Sequence, residues 1–315
     1  MDKSLRIIFM GTPEFAVAPL KLLVEEGWNI VGVITAVDKP AGRKLKIKES
    51  AVKKYATDAG LNIMQPRNLK AEAFQTRLKA LNADLQIVVA FRMLPESVWN
   101  MPALGTFNLH GSKLPAYRGA APIHWAIING EKQTGLTTFF LRHEIDTGAI
   151  IYSEDISISP EDTTGSLHDK MKEAGAKLVL KTVESIANGN APSVDQDLTG
   201  EYPDAPKLYR ESCQLDWKND TTTIHNKVRG LSPFPGAWTF IEEDTMIKIY
   251  FGKIHNELPE EVEVDIPTEL KSGKFHFTDK RIFIKTVDGW YEPTNVQLAG
   301  KRRMSTEEML RGYRN

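Results

Sequence analysis

Asn108 and His110 lie two positions apart, and Asp146 follows about 36 residues further on, in the run Ile145-Asp146-Thr147-Gly148. An amide, an imidazole and a carboxylate are a set suited to acyl transfer. The amide N–H of Asn108 can donate to an oxyanion as a carbonyl carbon is attacked. His110 can serve as a second donor and carry a proton between an attacking amine and a leaving nitrogen. Asp146 is suited to orient the imidazole and to favour its charged form. No serine or cysteine nucleophile is required if an acceptor amine attacks directly. The same Asn-x-His spacing also suits a hydrogen-bonded polar pair in a core, so spacing alone does not carry the assignment.

The elements that must position these side chains follow from the hydrophobic pattern. If residues 106–110 form a strand, Asn108 and His110 share a face, because side chains repeat with period two. They would then stand at a strand's C-terminal end, where open α/β sheets bind ligands. Apolar runs at 5–10, 30–35 and 85–91 predict buried strands. Helical spacing at 14–27 and 50–60 lies between them, with Ser50 as a plausible N-cap. Further strands are expected at 106–110, 136–141 and 149–152, and helices at 121–129 and 164–188. Alternating strands and helices imply βαβ units and a mostly parallel sheet.

The pattern changes after residue 189. Residues 190–207 are polar and interrupted by Pro and Gly, as in a linker. Short strands expected at 237–241, 246–251, 274–277, 281–286 and 290–298 suggest a small β-barrel, with helices at 222–229 and 305–311. The expected organisation is therefore a domain over 1–189, a linker over 190–207 and a second domain over 208–315.

Composition narrows the function classes. With 315 residues, 41% hydrophobic and 26% charged, the chain has the make-up of a soluble globular protein of two domains. No apolar run approaches the roughly 20 residues needed to span a bilayer. The N-terminal apolar stretch is too short for a signal peptide, and Cys213 is the single cysteine. A cytoplasmic setting without disulfides is expected. After the first strand comes Gly11-Thr12-Pro13-Glu14, which lacks the G-x-G-x-x-G turn of dinucleotide-binding folds. No P-loop or H-E-x-x-H is present, and the spacing of His143 and Asp146 alone is weak evidence for a metal. Net charge is −1, but Lys39, Arg43, Lys44, Lys46 and Lys48 put five basic residues in ten positions. Lys301, Arg302, Arg303, Arg311 and Arg314 form a second basic segment. Such segments can bind a phosphate backbone, although a solvated loop has the same composition.

The run NLHGSKLPAYRGAAPI (108–123), followed by IDTG (145–148), resembles the core of the folate-dependent formyltransferase family. Three further segments are most similar to members that formylate methionyl-tRNA: the opening IIFMGTPEFAV, the DKPAGR loop (38–43) and the ending LAGKRRMSTEEMLRG (298–312). PFPGAW (233–238) belongs to the same resemblance, which covers nearly the whole chain. It implies a Rossmann-like α/β catalytic domain with an OB-like C-terminal β-barrel. It also implies 10-formyltetrahydrofolate as formyl donor, initiator methionyl-tRNA as acceptor, a monomer, and no metal. Asn108, His110 and Asp146 match the catalytic residues of that family. Ser112, Lys113, Leu114 and Pro115 match its folate-contacting segment, and Phe91, Arg92 and Met93 fall on the loop bordering the folate pocket. Lys39, Arg43, Lys44, Lys46 and Lys48 match the loop that approaches the acceptor stem, and Lys301, Arg302 and Arg303 extend the expected tRNA contacts.

The chain also departs from the pattern. Lys113 and Ala116 stand where Leu and Arg are usual, and the segment 91–95 replaces one that carries Tyr-Gly. Lys48-Glu49-Ser50 replaces a serine-proline pair. The alternative acceptor is an amino-sugar nucleotide, which offers the basic segments no evident task. A non-catalytic RNA-binding protein and a formate-releasing hydrolase are the readings from other classes.

Overall fold

The computed structural model describes residues 3–41, 46–242, 245–260, 262 and 271–313. The chain forms two compact units. One comprises Met1–Gly119, Thr134–Ile156 and His168–Asp204, and the other Ala120–Gln133, Ser157–Leu167 and Ala205–Asn315.

The first unit is built on a seven-stranded sheet. Its spatial order is Ile150–Ser157, Gln133–Phe140, Thr106–His110, Leu85–Val89, Ile7–Gly11, Ile30–Ile34 and Ile63–Met64. Five of these strands, from Thr106–His110 to Ile63–Met64, run parallel, and Gln133–Phe140 is antiparallel to its neighbour. The strands Ile7–Gly11 and Leu85–Val89 are buried along their whole length, which is why they read as near-continuous apolar runs, the second interrupted only by Gln86. Helices Val17–Glu25, Ala51–Asp58 and Glu72–Ala80 lie between parallel strands in the chain, as crossovers must. The Ser50 side chain accepts the Lys53 N–H at 3.0 Å, so the expected N-cap is formed.

Several elements of this unit escaped the sequence pattern, among them a short strand and a helix. The strand Ile63–Met64 is only two residues long, and helix Glu72–Ala80 buries only Phe74 and Leu78. Neither presents enough apolar periodicity to stand out. The long helix Thr164–Ala187 crosses the sheet closely at Gly175, where an added Cβ would meet Leu109 Cδ2 at 2.9 Å.

The second unit carries an antiparallel sheet in the order Ala237–Glu242, Thr245–His255, Trp290–Leu298, Ile282–Lys285 and Phe275–Phe277, with Met304–Ser305 paired to Trp290–Leu298. Register shifts at 249/251 and 251/252 bend the long central pair, as bulges do, and give a half-barrel. Helix Thr221–Gly230 and the terminal helix Thr306–Tyr313 contribute Ile224, Val228, Met309 and Leu310 to one core with Ile247, Ile249, Ile284 and Tyr291. The segment expected as a linker is divided. Residues up to Asp204 pack in the first unit, where Val194 forms a two-bond bridge with Ile150.

Candidate active site

The strand Thr106–His110 forms as its sequence requires, and its alternation puts Asn108 and His110 on one face. Asn108 lies opposite Val88 on one neighbouring strand and Phe139 on the other. Its side chain is half-buried and has no hydrogen-bond partner among the described residues. His110 is 6% exposed. The edge of Phe139 packs against its ring, with centroids 6.5 Å apart.

The two nitrogens of His110 have different environments. Nε2 lies 2.9 Å from the carbonyl oxygen of Tyr117. A carbonyl only accepts, so Nε2 carries a hydrogen, and Nδ1 is the nitrogen at which a proton enters and leaves. Nδ1 faces Asp146 Oδ2 at 3.9 Å, an ionic approach too long for a hydrogen bond. The same Oδ2 accepts the N–H of Gly119 at 3.2 Å.

Two non-glycine residues in left-handed conformation flank the imidazole, Tyr117 at φ 59° and Asp146 at φ 54°. Each such residue costs on the order of 1–3 kcal/mol and persists where its surroundings determine it. At Asp146 the turn closes on Gly148, where a Cβ would stand 1.6 Å from the Phe140 carbonyl oxygen, so no other residue fits. A third left-handed residue, Ala90 at φ 47°, ends the neighbouring strand and starts the Phe91 loop.

The loop after His110 is held from within. The buried Ser112 hydroxyl donates to Ala116 O at 2.6 Å and lies 3.4 Å from Tyr117 O. Leu114 N–H donates to Thr137 Oγ1 at 3.1 Å, and that hydroxyl donates to Ser112 O at 2.8 Å. Leu114 is buried, Pro115 is half-buried, and exposed Lys113 reaches Asp155 at 2.6 Å. The Ser112 hydroxyl and the Lys113 ammonium are thus engaged by the protein itself.

In the neighbouring loop, Phe91 is half-buried and Met93 is 73% exposed. Arg92 donates to Arg67 O at 3.0 Å. Arg92, Met93, Arg67 and Lys70 line a cavity of about 470 Å³. Tyr117, Thr137 and Gln196 are the site residues that sequence reasoning missed. Thr137 lies directly opposite His110 on the adjacent strand, a register that only the sheet pairing reveals.

Lys39 and Lys48 stand directly opposite one another in the hairpin formed by Lys39–Ala41 and Lys46–Lys48, and both are exposed. Like charges in that position repel unless an anion lies between them. The pairing places Lys46 opposite Ala41. Arg43 and Lys44 lie outside the described residues, as does the Lys46 side chain. On the second unit Lys301 is exposed, and Arg302 is exposed beside Glu308 at 3.4 Å. Arg303 stacks over Tyr250 at 4.3 Å and Phe251 at 5.3 Å and also donates to Asn295. The PFPGAW segment contributes Phe234, 77% exposed, to a cavity of about 510 Å³ lined also by Tyr209, Arg210, Trp238 and Lys248. Among the described residues no cluster of His, Cys, Asp or Glu side chains is placed to hold a metal ion, and no helix is long and apolar enough to cross a membrane.

A parallel α/β sheet with an Asn-His-Asp set at one strand end, followed by an antiparallel half-barrel, matches the two halves of one enzyme class. Residues 5–183 match the formyl transferase family and residues 207–314 the formyl transferase C-terminal domain. The methionyl-tRNA formyltransferase of Flavobacterium johnsoniae is 51% identical over 98% of this chain and 96% of its own length. That of Bacteroides thetaiotaomicron is 48% identical over 99% of this chain and 97% of its own. The chain belongs to the formyl transferase family, among the methionyl-tRNA formyltransferases. An N-formyltransferase from Helicobacter canadensis, solved with folinic acid and dTDP-3-aminofucose, shares the fold. Its TM-score is 0.63 at 19% identity, covering 95% of this chain and 100% of that one.

Proposed function

We propose that the chain transfers the formyl group of 10-formyltetrahydrofolate to the amino group of initiator methionyl-tRNA. The observation that carries this reading is the amide of Asn108, without a partner among the described residues, beside a buried His110 whose Nδ1 faces Asp146. It occurs in a chain about half identical, over nearly its whole length, to methionyl-tRNA formyltransferases.

The amide fits the formyl oxygen of the donor, because Asn108 has donors to give and no group among the described residues takes them. When bound, the folate supplies its formyl group as an amide on N10. Asn108 then donates to the formyl oxygen as negative charge builds there, an effect of about 10²- to 10³-fold where single donors of this kind are removed. The attacking amine must lose a proton and N10 must gain one. His110 Nδ1 is the nitrogen free to exchange that proton, while its Nε2–H stays anchored on Tyr117 O. Asp146 supports the charged imidazole across the 3.9 Å gap. His110, Asn108 and Asp146 all come from one chain, so a monomer suffices.

Ser112, Lys113, Leu114 and Pro115, with Phe91, Arg92 and Met93, form the folate-facing rim in this reading. Leu114, Pro115 and backbone groups carry the contacts that Ser112 and Lys113, already engaged, do not. Lys39, Arg43, Lys44, Lys46, Lys48, Lys301 and Arg302 meet tRNA phosphates, which position the acceptor without reading its sequence. The repulsion between Lys39 and Lys48 supports this role. Arg303 acts by fixing Tyr250 and Phe251. The acceptor places the reaction in the cytoplasm. Amino-sugar enzymes near 20% identity share the fold, and no observation here favours their acceptor.

The test is incubation with 10-formyltetrahydrofolate and three acceptors: initiator methionyl-tRNA, elongator methionyl-tRNA and an amino-sugar nucleotide. Formylation of the initiator alone, lost in His110→Ala, is the expected result. Formylation of the sugar, or release of formate without any acceptor, overturns the proposed acceptor.

A further inference from the structure

The segment 194–203 fastens both left-handed residues that flank His110. Val194 exchanges backbone hydrogen bonds of 2.9 and 2.7 Å with Ile150, which begins the strand just beyond the Asp146 turn. Two residues on, Gln196 Nε2 donates to Asp146 O at 3.0 Å and to Gly148 O at 2.8 Å. Asp195 pairs with Arg142 at the other end of the same turn. At the far end of the segment, Pro203 O accepts the N–H of Tyr117 at 2.6 Å. Tyr117 O in turn anchors His110 Nε2, and Asp146 Oδ2 faces Nδ1.

We infer that Gln196 is a positioning residue for catalysis: it fixes the Asp146 turn so that the carboxylate faces His110 Nδ1. The inference rests on the roles given above to His110 and Asp146. Three features single out Gln196 among the contacts of the segment. Its amide is the side-chain group that spans the turn, bonding the carbonyls on either side of Thr147. Its Oε1 is buried with no partner among the described residues, so the side chain is held by its two donated bonds alone. The Asp195–Arg142 pair is exposed, at 79% and 47%, and a pair in water holds geometry weakly. Asp146 holds a left-handed conformation at φ 54°, and a turn loosened at its backbone carbonyls would carry the carboxylate away from a nitrogen it already meets at only 3.9 Å.

Gln196→Leu removes the two donors at similar volume, and Gln196→Glu replaces them with a carboxylate facing two carbonyl oxygens. Both are expected to lower kcat by about 10- to 100-fold, the scale of a misplaced catalytic group. KM for folate and for tRNA should stay within about twofold. In an Asp146→Asn background the same substitutions should cost less than about twofold, because the group they position is already gone. The ring-nitrogen NMR signals of His110, read without substrate, should move in Gln196→Leu. Equal losses in both backgrounds, an unchanged kcat, or unmoved His110 signals overturn the inference. A wild-type protein inactive on methionyl-tRNA would sink the proposed function instead, and the His110 signals would still decide the role of Gln196.

Discussion

Two polar clusters, one in each unit, centre on residues each 6% exposed, Glu292 and His110, and are built on opposite terms. In the C-terminal sheet Glu292, 8% exposed at its side chain, accepts hydrogen bonds from Arg281 Nε at 2.8 Å, Arg281 Nη2 at 2.9 Å and His255 Nε2 at 2.7 Å. Burial pushes its carboxyl up, but the hydrogen bonds from Arg281 and His255 outweigh burial and hold it below the usual range. At the end of the strand Thr106–His110, by contrast, the Asn108 side chain has no partner among the described residues and His110 Nδ1 lies 3.9 Å from Asp146. A network completed within the protein stabilises it, whereas one left open keeps its donors for a substrate. Backbone strain follows the same division. Tyr117 and Asp146 hold left-handed conformations at the open cluster, and no residue of the closed cluster does.

The sharpest test of this contrast is to remove one member from each cluster. His110→Ala is expected to lower kcat by about 10³-fold or more, and Asn108→Ala by about 10²- to 10³-fold. Neither should shift the thermal midpoint by more than about 2 °C. Glu292→Gln should leave kcat within about twofold and cost about 1–2 kcal/mol in urea unfolding, because a neutral amide replaces the buried carboxylate that accepts three hydrogen bonds. If Glu292→Gln proved catalytically damaging, or His110→Ala unfolded the protein, the contrast would fail.

Acid separates the clusters more gently. The carboxyl of Glu292 is held below its ordinary 4.5, so the unfolded chain binds more protons there. Its stabilisation is complete above 4.5 and is lost as pH falls through its folded value. Glu292→Gln should therefore flatten the acid limb of the stability profile, measured by urea midpoints between pH 7 and 3.

Smaller effects are expected at the basic surfaces. Lys39→Ala and Lys48→Ala should each raise KM for tRNA a few-fold and leave KM for folate unchanged. Each should also flatten the salt dependence of log KM by up to about 0.9 for every phosphate the variant no longer neutralises. A salt slope identical to wild type would remove this hairpin from the tRNA interface. The smallest difference separates two adjacent arginines. Arg303→Ala should lower stability by about 1 kcal/mol by removing the stack on Tyr250 and Phe251. Arg302→Ala, exposed beside Glu308, should change it by less than about 0.5 kcal/mol.

The sequence by itself determined whatever depends on local periodicity. Buried strands at 7–11 and 85–89 follow from apolar runs, the second interrupted only by Gln86, and Ser50 caps a helix because its hydroxyl meets an amide three residues on. Asn108 and His110 share a face because strand side chains alternate, and Gly148 marks the Asp146 turn because only glycine fits against Phe140 O. Tertiary structure alone decided the rest. The tautomer of His110 is set by the carbonyl of Tyr117, and the Asp146 turn is fastened by Gln196 from a stretch whose prolines and glycines suggested a linker. Those hydrogen bonds join side chains to backbone oxygens seven to 50 residues away. Every residue type carries such an oxygen, so composition and spacing leave no trace of which one is used, and only the packed chain brings the right one into reach.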